Sequence, residues 1–104
     1  MRIKTSELDR DALDWVVERC NEGNWSCGFY ATDWADAGPI IERERISLEF
    51  MPGAGDAGAD VWVATRVEGS SVSEECAESP LVAAMRCYVA SQMGDEVEVP
   101  EDVL

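Results

Sequence analysis

The chain has 104 residues, 22 acidic against 8 basic side chains and a formal charge of -14, with no histidine, four cysteines and four tryptophans. That length predicts a single domain over residues 1–104 with one modest core, and an apolar fraction of 46% is ordinary for a folding chain. The missing histidine excludes Ser-His and Cys-His triads and the usual zinc hydrolases, and the negative charge opposes the counterion-releasing contacts that nucleic-acid binding needs.

Arg2 to Lys4 reads as a short strand. The opening residues run into polar sequence without an apolar stretch, so neither a leader peptide nor a membrane span is expected, and the expected compartment is the cytoplasm. Leu13, Val16, Val17 and Cys20 then recur at the i, i+3, i+4, i+7 spacing of a helix with one buried stripe. Asp9 is its candidate N-cap, Asp11 and Asp14 suit the positive end of the helix dipole, and the end is expected at 21–23. Trp15 lies beside the stripe, at the edge of the core. Residues 23–39 show no period and hold Trp25, Phe29, Tyr30 and Trp34, which reads either as a loop packed down as a lid or as a recognition surface.

Ile46, Leu48 and Phe50 alternate with Ser47 and Glu49, and Val61, Val63, Thr65 and Val67 alternate around Trp62, Ala64 and Arg66. Two such strands predict an antiparallel hairpin with a long loop. Gly53, Gly55 and Gly58 in that loop formally spell GxGxxG, but a dinucleotide fingerprint needs a helix immediately afterwards, and here a strand follows. Ser79 as N-cap, Pro80 at the first helical position and Gly94 as the stop delimit a last helix. It is apolar nearly all round and so belongs at the centre of the domain or in an oligomer interface, with Arg86 as its one cation. Val97 and Val99 alternate with Glu96 and Glu98, so the tail can add a short edge strand. The predicted class is α+β, a small antiparallel sheet with two helices on one face. In a reducing compartment Cys20, Cys27, Cys76 and Cys87 read as free thiols, with Cys20 and Cys87 as apolar helix fillers; a four-cysteine zinc site is the minor alternative, and no metal or cofactor is expected.

Two acidic runs lie on either side of the last helix in sequence: Glu68, Glu74, Glu75 and Glu78 before it, and Asp95, Glu96, Glu98, Glu101 and Asp102 after it. The helix length places them roughly 20 Å apart at its opposite ends, with Glu74, Glu75 and Glu78 in a solvated loop. Acidity of this kind either keeps a small protein soluble or steers it to a cationic groove on another protein.

Three stretches are similar, taken together, to the NinX-like family of small phage and prophage proteins: Thr32-Asp33-Trp34 leading into Gly38-Pro39-Ile40-Ile41-Glu42-Arg43-Glu44; Ser79 through Val89; and Gly94-Asp95-Glu96-Val97-Glu98-Val99-Pro100. The opening Lys4-Thr5-Ser6-Glu7-Leu8 and Ala12-Leu13-Asp14-Trp15 add to the resemblance. It implies a phage-encoded protein acting in a bacterial cytoplasm and, the family's domain being of unknown function, carries over no activity. Asp33, Trp34, Glu42, Arg43 and Arg86 fall within or beside these blocks, so the two arginines form either an ion-pair network or a shallow anion site, with Asp33 or Glu42 as the expected partner of Arg86.

The reading that follows is a non-enzymatic protein that binds a basic surface on a bacterial host or defence protein through Glu74, Glu75, Glu78, Asp95 and Glu96. The alternative is a binder of a nucleotide-like anion using Tyr30, Trp34, Arg43 and Arg86. Neither direct nucleic-acid binding nor membrane association is expected, and self-association stays open.

Overall fold

A computed structural model describes residues 1–20 and 28–103. The expected end of the first helix at 21–23, together with Trp25 and Cys27, lies outside the described residues. In chain order the elements are β1 (Arg2–Lys4), α1 (Arg10–Cys20), α2 (Trp34–Glu44), β2 (Ser47–Met51), β3 (Val61–Glu68), β4 (Ser71–Ala77), α3 (Pro80–Met93) and β5 (Glu96–Glu98), with single 3-10 turns at Thr5–Glu7, Asp56–Gly58 and Glu101–Val103. The class is α+β, with three helices and two small antiparallel sheets in place of the expected two helices and one sheet.

α3 organises the molecule, and its ends are set locally. Ser79 Oγ accepts the Val82 amide, Pro80 opens the first turn, and Gly94 at φ 86 closes the last with its amide on Ala90 O. Leu81, Val82, Ala83, Ala84, Met85, Cys87, Tyr88 and Val89 are all buried, so the helix is covered on nearly every side within the domain itself. It packs on β3 and β4 and also against α1 and α2. The helices therefore form two tiers, α3 on the sheet and α1 and α2 on α3. Leu13, Val16 and Val17 of α1 are buried as the helical spacing predicts, Trp15 lies partly buried at the core edge, and the Arg19 guanidinium sits 5.0 Å above its ring.

α2 runs through the second half of the segment read as irregular. Asp33 caps it by accepting the Ala35 amide, and Ala37 and Ile40 are buried one turn apart. Gly38 and Pro39 look like breakers, and Pro39 lies at the middle of the helix, but its missing donor frees only the carbonyl of exposed Ala35, and a Cβ at Gly38 would meet nothing within 4 Å. Carboxylates pin the preceding loop to its neighbours. Asp14 accepts the Ala31 amide, Asp36 accepts the Phe29 amide, and the Tyr30 hydroxyl donates to Glu18.

β2, β3 and β4 form a meander in the order β2-β3-β4, with Leu48 opposite Ala64 and Ala64 opposite Glu75. Because side chains alternate, Leu48, Trp62, Ala64, Arg66, Glu75 and Ala77 share one face, and Ala64 at 0% exposure identifies it as the face on the core. Val61, Val63, Thr65 and Val67, the alternating row of the sequence, therefore point away from it. The Gly/Ala-rich loop is ordered by Gly53 N donating to Asp60 Oδ1 and Gly55 N to Ala59 O. A Cβ on Gly55 would lie 2.7 Å from Val61 Cγ1, so this loop can close over Val61 only with glycine there. A strand follows the glycines, as expected. β5 pairs with β1 in a separate two-stranded sheet, Ile3 opposite Val97, and does not extend the hairpin. Thr5, fully buried, ties the β1-β5 sheet to the end of α3 by donating its hydroxyl to Gly94 O at 2.6 Å and its amide to Asp95 O at 2.7 Å. No helix among the described residues is long and apolar enough to cross a membrane.

Candidate functional site

The two acidic runs do not lie at opposite ends of α3. β4 has seven residues and α3 fourteen. At about 3.3 Å per strand residue and 1.5 Å per helix residue the two are of similar length. β4 folds back along the helix and carries Glu75 on the face beside α3. Glu75 thereby joins Asp95 and Glu96, with Lys4 and Ser6, around one open cleft of about 590 Å3. Glu75 is half-buried there. Burial pushes its carboxyl above the usual carboxylate range, the Arg86 charge pulls it back, and Asp95 pushes it up again. Glu96 stands opposite Lys4 in the strand pair and meets Arg2 Nη1 at 3.5 Å. Glu75 and Asp95 thus meet at the cleft, with the Arg86 charge opposing the effect of Asp95 on Glu75. Glu74 is on the same strand but faces outward, and Glu78 lines a different cavity of about 530 Å3 with Asp9, Asp56 and Arg86. Glu74 and Glu75 lie in a strand, not in a solvated loop, and the three glutamates open onto three surfaces.

Arg86 does not pair with Asp33 or Glu42. Its Nε donates to Leu8 O at 2.6 Å and its Nη1 to Cys76 O at 3.1 Å, and among the described residues it makes no ion pair. The guanidinium fork is satisfied by carbonyls at the ends of two segments that α3 holds together. Asp33 is used as the α2 cap, and Glu42 is exposed.

An ion-pair network does exist, on the other side of the helix; it keeps Arg43 of the expected arginines and not Arg86, and its other members are Glu44, Arg66 and Glu68. Arg43 Nε meets Glu44 Oε2 at 2.8 Å, Glu44 Oε1 meets Arg66 Nη2 at 3.0 Å, and Arg66 Nη1 meets Glu68 Oε2 at 2.8 Å. Arg43 also donates to the Tyr88 hydroxyl at 3.3 Å and lies 5.9 Å from the centre of its ring. Residues 86 and 88 are about 200° apart around a helix, so Arg43 on Tyr88 and Arg86 stand on opposite sides of α3. Tyr30 is buried at α1 and Trp34 is 54% exposed at the start of α2. The four residues of the anion-site alternative are thus spread over the molecule. Arg66, which sequence reading left in a strand without a role, is the centre of the network. Its two-residue spacing from Glu68 on a strand, which puts both side chains on one face, was the available signal. Cys20, Cys76 and Cys87 are free thiols on three different elements, and burial pushes Cys20 and Cys87 up to about 11.

Fold and site together define a small acidic α+β domain with a carboxylate-lined cleft. The family model described as "Bacteriophage P22, NinX" matches residues 24–92, about two thirds of the chain, and the protein belongs to that phage family. The matched span covers α2 through nearly all of α3; β1, β5, Asp95 and Glu96 lie outside it. No curated protein matches the chain.

Proposed function

We propose that this phage-family protein acts by binding, without catalysing a reaction, a basic surface on a bacterial host or defence protein in the cytoplasm. The observation that supports this reading is the meeting of Glu75 and Asp95 at one cleft in a chain of charge -14. Asp95 pushes the Glu75 carboxyl up, and a lysine or arginine brought by a partner adds to the Arg86 charge that opposes this. The raised thiols of Cys20 and Cys87 are protonated at neutral pH and supply no thiolate nucleophile. The partner is to be captured from phage-infected cells, identified, purified and tested for association by stopped flow. The rate should fall steeply between 0.1 M and 1 M salt, where the Debye length shrinks from about 10 Å to about 3 Å. Replacing Glu75 by Gln and Asp95 by Asn should slow it further at low salt. Binding indifferent to both salt and this double substitution overturns the reading. So does a nucleotide that copurifies with the protein and is lost on Arg43→Ala.

A further inference from the structure

The outer face of the β2-β3-β4 sheet carries an aliphatic row. Val63, Thr65 and Val67 run along the central strand, and Val72 stands directly opposite Val67. Val67 is 64% and Val72 63% exposed, while the helices pack on the opposite face, the face of Ala64. β-Branched side chains in a row on a pleated surface bury well against a second surface and contribute little while facing water. Register supplies the charge. Glu49 lies opposite Val63 on one side, and Glu74 lies opposite Thr65 on the other, both exposed. The remaining outward positions are Ser47, Met51, Cys76 and Val61, the last buried under the Gly/Ala-rich loop, so the face carries two carboxylates and no basic residue.

We propose that this face docks a partner protein whose contact surface has an aliphatic row bordered by lysine or arginine. A second copy docked through the same face fits poorly, because it would bring another charge of -14 and a face without a cation to meet Glu49 and Glu74. The inference rests on the basic-partner reading above and deepens it by locating the apolar contact, away from the Glu75–Asp95 cleft. Burial of aliphatic area gives the complex its lifetime, and the flanking carboxylates give it orientation.

The test uses the full chain and two short peptides of equal charge, one alternating lysine with valine and one alternating lysine with serine. At low salt the lysine–valine peptide should bind about tenfold more tightly, a difference of about 1.4 kcal/mol. It should also shift the methyl signals of Val63, Val67 and Val72 in NMR spectra. Val67→Ser combined with Val72→Ser should abolish the preference while leaving the melting temperature unchanged, since both side chains are exposed. Equal affinity for the two peptides, or methyl shifts confined to other sites, overturns the docking face and leaves the electrostatic reading standing. Binding of neither peptide overturns both. Concentration-dependent dimerisation at high salt that the double valine variant removes would overturn the partner in favour of a second copy.

Discussion

The face of the meander turned to α3 carries Arg66 and Glu75 beside Trp62 and Ala64, whereas the face turned to solvent carries Val63, Thr65, Val67 and Val72. Polarity alone does not tell the two apart, since each mixes apolar and charged side chains. What decides between them is shape. A helix can lie close to a sheet where the central side chain is as small as Ala64, and the long polar residues of that face then sit at its margins, where they can reach partners. Arg66 reaches Glu44 and Glu68 there, and Glu75 borders the cleft. The outer valines have no helix over them, and the hydrophobic effect they could contribute is left for another surface.

The strongest way to break this picture is Met85→Asp. Met85 is at 0% exposure in the central helix, and an unpaired carboxylate there should cost several kcal/mol of a total that is typically about 5–15 kcal/mol. Circular dichroism should show loss of the cooperative transition. A variant melting within about 2 °C of the parent would mean that the helix is not central, since 1 kcal/mol shifts a domain this size by roughly 4–8 °C.

A smaller effect separates the two faces directly. Ala64→Leu adds bulk where the helix lies closest and should cost about 1–3 kcal/mol, read as a lowered melting temperature. The exposed Val67→Ser change should stay within about 0.5 kcal/mol. Comparable losses at both positions would mean that the outer face is also covered.

The smallest effect concerns Glu75. Its folded-state pKa lies above the ordinary 4.5, so the folded protein holds the proton more tightly than the unfolded chain. The resulting stabilisation is fully present below the unfolded value and is lost as pH rises through the raised folded value. Asp14, raised mainly by burial, acts in the same direction. Melting temperature should therefore rise on acidification from pH 7 into the window just above 4.5. Glu75→Gln should flatten that rise and be slightly stabilising at neutral pH; a steeper rise in the variant would show that Glu75 is favourably paired.

The sequence by itself determined those features whose causes are neighbours in the chain. The ends of α3 follow from Ser79, Pro80 and Gly94, the buried stripe of α1 from four residues at helical spacing, and β2 and β3 from alternation. The α+β class and the phage family were legible for the same reason. Tertiary structure alone decided which face of β3 is buried, because alternation marks two faces without saying which one a helix will cover. It decided that Ser71–Ala77, a polar stretch of weak strand propensity, becomes a strand through pairing with β3. It decided that Trp34–Glu44 stays helical across Gly38-Pro39, because buried Ala37 and Ile40 outweigh one lost hydrogen bond. Glu75, Asp95 and Glu96 were legible as acidic candidates, but their meeting at one cleft belongs to this second group. Glu75 and Asp95 are twenty positions apart, and Arg86 and Leu8 further still; whether such groups meet depends on how strands and helices fold back on one another, which no local period of the chain records.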